Sequence, residues 1–237
     1  MNTTQTSGRW LVRAGWAGIL GPVLFFVTWM AQELFLTEGY DPLAEPVSAL
    51  AAWPHGWVQT VNFVVFGLLT FAFAAGLHRG LAPSRFGVAG PALFAVTGLG
   101  TLWGAAFPIR MDSAGVTYDP GLHAIGGMMF FPVTALALIV VSFRVARDPD
   151  WAHLAIPVRL AGILMIATIP LMVAFVGPEE APLHDWFGLF QRILVLGFIF
   201  PARIALSYRL LRIGRSSRHG VPRRVSPAQS GSGARRS

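Results

Sequence analysis

Two charged side chains interrupt long apolar stretches of the sequence: Glu33, near the end of Ala14–Phe35, and Arg192, near the start of Trp186–Leu206. Ionisable groups at such depth in a hydrocarbon environment are costly and face a bundle interior or a partner. As a pair they would hold two helices in register. Apart, Glu33 would serve as an acid or base and Arg192 as a receptor for an anionic ligand. Asp112 and His123 are the other candidates for acid–base chemistry. His123 opens an apolar run, where an imidazole can act as a base or a metal ligand. Ser48 falls in the first turn of a short apolar segment, Pro46–Trp53, and reads as a ligand contact rather than a nucleophile.

Other chemistries find no support. With no cysteine, thiolate nucleophiles, thiolate metal sites and disulfides are excluded. His55, His123 and His184 lack the spacing of any local metal-ligand set, so no metal is expected. A phosphate-binding glycine loop, a His-Glu-x-x-His pattern and paired haem histidines are all missing, and no cofactor is implied.

Six apolar runs position the candidates: Ala14–Phe35, Trp57–Leu77, Phe86–Phe107, His123–Phe143, Val158–Val176 and Trp186–Leu206. Each is near the roughly 20 residues that carry a helix across about 30 Å of hydrocarbon. The composition agrees, at 54% hydrophobic and only 12% charged residues. One soluble core of this size could not hide so much apolar surface, whereas lipid allows it to face outward. The fold expected is all-α, a bundle of six transmembrane helices with a short interfacial helix in the first outer loop. Its parts are an N-terminus over 1–13, a transmembrane domain over 14–208 and a disordered basic tail over 209–237.

Orientation follows from arginine, which accounts for all 18 basic residues. Positive charge is retained on the cytoplasmic side of short loops. Arg9 and Arg13, Arg79 and Arg85, Arg144, Arg147 and Arg159, and the arginines of the tail fall on one side. The other side holds Arg110 against Glu38, Asp41, Glu45, Asp112, Asp119, Glu179, Glu180 and Asp185. Both termini are therefore expected in the cytoplasm and the chain in the cell membrane. All five candidates then share the outer face. Nine arginines at or beyond Arg203 suit contact with anionic lipid headgroups, and binding to nucleic acid is not expected. Gly100 and Gly104, a small-xxx-small pair, permit close packing of the third span within the chain.

The outer-face residues carry a resemblance. Gly39-Tyr40-Asp41-Pro42 with Val47-Ser48-Ala49-Leu50, Gln59, Asn62 and Phe66-Gly67 form the first part of it. Phe107-Pro108 with Asp112 and Gly121-Leu122-His123 form the second, and Gly188-Leu189-Phe190-Gln191-Arg192 the third. In these the chain resembles a prokaryotic family of small polytopic membrane proteins, domain of unknown function 998. The resemblance implies a six-helix membrane fold and brings no established reaction. Three function classes follow: a protein binding a lipid or partner at an outward polar site, an intramembrane enzyme acting on a lipid or isoprenoid, and a small transporter. Pro22, Pro91, Pro132, Pro170 and Pro201, inside five of the runs, leave room for the broken helices of the third class.

Overall fold

The computed structural model describes residues 3–84, 87–115, 117–176 and 180–218. Its helices are α1 (Thr3–Phe35), α2 (Trp57–Gly80), α3 (Ala89–Ala106), α4 (His123–Ala146), α5 (Ala155–Phe175), α6 (Phe187–Ile193) and α7 (Phe200–Arg218). A π-helical turn, Leu194–Ile199, joins α6 to α7 into one continuous span. Six of the resulting helices are long and apolar enough to cross a membrane, so the expected all-α bundle is what the chain forms. A small hairpin between α3 and α4 was not expected from the sequence: β1 (Arg110–Met111) pairs antiparallel with β2 (Thr117–Tyr118).

The helices form a ring in chain order. α1 packs along α2 and also along α7, while α2–α3, α3–α4 and α4–α5 are successive neighbours. The ring closes weakly, since α5 meets the π turn and α7 only lightly. Lipid supplies no hydrophobic drive between helices, so close contact depends on small residues. A Cβ on Gly18 would lie 1.9 Å from Ser207 Oγ of α7, and one on Gly100 would lie 2.9 Å from Gly126 O of α4. The Gly100–Gly104 pair thus packs within the chain, on α4. Large apolar side chains such as Leu20, Val27, Leu68, Ile156 and Leu160 point outward, where only lipid can cover them.

The helical ends run past the limits read from hydropathy. α1 starts at Thr3, well before residue 14, and α7 continues to Arg218 instead of ending at 208. Burial explains the second extension: Leu210 and Leu211 are enclosed, and Gly214 lies against Gly8 and Val12 of α1. The rest of the basic tail, 219–237, lies outside the described residues, as do Arg85 and Glu179.

Two arginines counted from the sequence as loop or tail charges are buried in the bundle. Arg144, in the last turn of α4, donates to the carbonyls of His78, Leu81, Ala82 and Gly87. It thereby satisfies one orphan carbonyl in the last turn of α2 and three in the loop that follows. Asp148 accepts from Ala82 N at 2.8 Å and holds the same loop. Arg203, on α7 and only 3% exposed, donates to Gly18 O at 3.2 Å and to Thr70 Oγ1 at 2.6 Å. Its guanidinium stacks over Phe66 and Phe73, 4.5 and 5.2 Å from the ring centroids.

Candidate functional site

The loop between α1 and α2 is folded down as a cap on one end of the bundle. At its start Gly39 adopts φ +89°, a conformation costly for any residue with a Cβ, and turns the chain so that Tyr40 points inward. The expected interfacial helix is present as a 3-10 stretch, Val47–Ala51, whose Val47, Ala49 and Leu50 are buried. It sits plugged into the bundle end rather than lying along its surface.

Arg192 anchors this cap. Its guanidinium pairs with Glu33 of α1 and donates to Tyr40 Oη at 2.8 Å and to Glu45 O at 2.9 Å. It also lies over the rings of Trp29 and Tyr40, 5.5 and 5.7 Å from their centroids. Tyr40 in turn donates to the carbonyls of Glu45 and Pro46, both at 3.0 Å. Burial, partly offset by Arg192, pushes the Tyr40 phenol above its ordinary pKa, so it stays a neutral donor. Gln191 Oε1 accepts from Val47 N at 2.8 Å, Gln32 Nε2 donates to Leu50 O at 2.9 Å, and Trp53 Nε1 donates to Glu45 Oε2 at 3.0 Å. The first turn of α6 completes the joint through Gly188 N to Ala44 O and Leu189 N to Leu43 O.

Under the cap lies a cavity of about 380 Å³, at the lower end of the range for small-molecule pockets. Its walls are apolar and come from every helix: Phe25, Phe63, Phe66, Phe130, Ile169, Leu194 and Val195 are among them. The roof is Pro46, Val47 and Ser48. The cavity extends to Met128, Ile169 and Met172, beside the weak seam where α5 faces the last span. Pro201 accounts for the π turn there. It has no N–H, and its ring crowds the carbonyl four residues back, that of Gly197. The wider turn relieves the clash and presents Leu194 and Val195 to the cavity. Such π bulges recur at functional sites.

Polar groups gather at the cap end. His123, the first residue of α4, places Nδ1 2.9 Å from Phe107 O. A carbonyl only accepts, so Nδ1 carries the proton and Nε2 is left as an acceptor. Nε2 has no hydrogen-bond partner among the described residues, and neither does the Ser48 hydroxyl or the Gln191 side-chain nitrogen. Asp119 also lines the cavity. Its carboxylate accepts from the backbone N of Gly121, His123 and Ala124 at 2.6–3.0 Å, which fixes the start of α4 and with it the imidazole.

The five sequence candidates are therefore divided. Ser48 and His123 both line the cavity. Glu33 and Arg192 pair behind its wall, and the guanidinium is committed to the cap. Asp112 lies apart on the exposed hairpin, where its Oδ1 accepts from Ala114 N at 2.9 Å. Sequence reasoning missed Asp119 and Tyr40. Asp119 was open to it, because Asp-Pro-Gly ahead of an apolar run is a helix-start signal. Among the described residues no three His, Asp or Glu side chains group as a metal site.

Six membrane-length helices, closed at one end by a pinned cap over an apolar cavity, define a multi-pass membrane protein. A family model described as protein of unknown function, DUF998, matches residues 19–206, and the chain belongs to that family. It matches no curated protein and no solved structure.

Proposed function

We propose that the protein binds a membrane lipid, whose chain enters the cavity sideways through the seam between α5 and the last span. The observation that carries this reading is the cavity itself: apolar along its walls, polar only under the cap, and set beside the light contact between α5 and the last span. A chain leaving the bilayer would exchange one hydrocarbon environment for another, and its head would stay at the level of the cap. Arg79, Arg144, Arg147 and Arg159 at the opposite end support an outward-facing cap, cytoplasmic termini and residence in the cell membrane. The basic tail would lie against anionic headgroups.

A photoactivatable fatty acid, fed to expressing cells and built into all their acyl lipids, tests the reading. Peptide mapping after illumination is expected to find label on Leu194 and Val195, which line the cavity and are at most 5% exposed. Label confined to outward residues such as Leu20 and Leu68 would refute it. The orientation is tested separately with single cysteines, which have no native background. Ser113→Cys is expected to react with an impermeant reagent in intact cells and Ser84→Cys only after lysis; the reverse pattern would overturn the topology.

A second reading, an intramembrane enzyme acting on the same lipid, is favoured by the His123 Nε2, an acceptor fixed in a cavity that the Ser48 side chain also lines. In that reading His123 is the base. Glu33 and Asp112 drop out, the first through its pairing with Arg192 and the second through its place outside the cavity lining.

A further inference from the structure

Resting on the lipid-binding reading, we infer that the cavity selects a single-chain lipid with an uncharged, hydroxyl-bearing head, of the class of monoacylglycerols and long-chain alcohols, over anionic lipids. Volume limits the number of chains. About 380 Å³ is near the bottom of the range for ligand pockets and suits one chain, not the two of a phospholipid.

Charge and hydrogen-bonding direction select the head. Asp119 is the one charged side chain of the lining among the described residues. Arg192 is spent on Glu33, Tyr40 and Glu45, and Arg203 lies behind the Phe66 ring, outside the lining. Arg110 stands on the exposed hairpin, outside the lining. An anionic head would thus meet a carboxylate with no cation to offset it, and burying an unpaired charge is strongly disfavoured.

A hydroxyl fits the three unpartnered groups. It would donate to His123 Nε2 and accept from the Gln191 amide or the Ser48 hydroxyl, so each end of its dipole is met. The bond from Val47 N to Gln191 Oε1 at 2.8 Å fixes which way that amide faces, with its NH₂ left to donate. A carboxylate in the same place has no proton for Nε2. The imidazole therefore acts as a filter that passes donors and rejects pure acceptors.

The experiment uses the full chain in mild detergent. 1-Monooleoylglycerol, oleyl alcohol, methyl oleate, oleate and oleoyl lysophosphatidate each compete with a photoactivatable oleoyl probe. All five share the oleoyl-length chain and differ in the head. The first two are expected to compete best, with the two anions at least tenfold weaker, as a negative head brought beside the Asp119 carboxylate without a cation implies. Methyl oleate, which accepts but cannot donate, is expected to fall between. His123→Ala should erase the preference of the hydroxylated lipids over methyl oleate, read as the ratio of their competition in the variant against that in the parent. Ser48→Ala serves as a second variant should the first fail to fold, with a smaller loss in the same direction.

Oleate or lysophosphatidate competing as well as monooleoylglycerol would overturn the selectivity and leave the lipid site standing. Equal competition by methyl oleate and both hydroxylated lipids would overturn the role of His123. Failure of all five to displace the probe, or of the probe to bind, would instead remove the lipid-binding reading beneath it. Monooleoylglycerol and oleyl alcohol differ in ester and second hydroxyl, so their ranking tells a glyceride from an alcohol.

Discussion

Replacing Arg192 by Gln is expected to lower the stability of the protein by roughly 3–5 kcal/mol, the usual cost of stranding one member of a buried pair. The loss reaches further than Glu33. The guanidinium also holds Tyr40 Oη and the Glu45 carbonyl, so the cap loses two contacts together with the ion pair. Glu33→Gln strands Arg192 but leaves it both of those neighbours, and its effect is expected to be smaller. The double substitution should cost clearly less than the two single losses summed, because neither charge is then left alone. Melting in detergent across the four proteins gives the coupling directly. Exchanging the two charges is expected to recover little, since an arginine at 33 would approach from α1 and not reproduce the bonds that Arg192 makes from α6 to Tyr40 and Glu45. Near-zero coupling would show that the cap is held by something other than this pair.

The second large effect is expected at Gly188. A Cβ there would lie 2.3 Å from Glu45 O and 2.6 Å from Pro42 O. Both are backbone atoms of the cap, which cannot give way as the end of a flexible side chain would. Gly188→Val should therefore lift the loop from α6 and break the bonds from Gly188 N and Leu189 N to the carbonyls of Ala44 and Leu43. Overpacking and lost hydrogen bonds together suggest a cost of about 2–4 kcal/mol. Limited proteolysis should then cut between Leu36 and Gly56 at protease levels that leave the parent intact. Resistance of the variant, with an unchanged melting point, would mean that the cap is not seated on α6 as described.

How far the sequence revealed this arrangement depends on the kind of signal. Hydropathy marks spans because lipid demands it over a fixed length, and all six were legible. Glu33 and Arg192 stood out because a charge within an apolar run needs a partner, and the pair is there. Tyr40 and Glu45 gave no such sign, as polar residues in a loop look alike until the loop folds back over the bundle. Arg144 and Arg203 were misread for a related reason: charge near a span end suggests solvent, yet both guanidiniums turn inward to carbonyls and rings. The π turn was half legible. Pro201 is visible in the sequence, but a proline can kink, break or widen a helix, and packing decides among these. The cavity was illegible altogether. Gly100 and Gly126 close the gap between α3 and α4, whereas Gly127, one residue further along, leaves space, and composition cannot separate the two.

That last glycine offers the most direct measurement. A Cβ on Gly127 would meet nothing within 4 Å, although the residue lines the cavity. Gly127→Leu should fill the cavity without a clash and with a gain of up to about 1 kcal/mol in helix propensity. Native mass spectrometry of the protein, extracted in mild detergent, is expected to show about one retained lipid per chain, as a pocket of this volume allows. The Gly127→Leu protein should lose most of that lipid while melting at the same temperature or higher. A parent protein that carries no lipid, or a variant that retains as much as the parent, would contradict the assignment of the cavity as a lipid site.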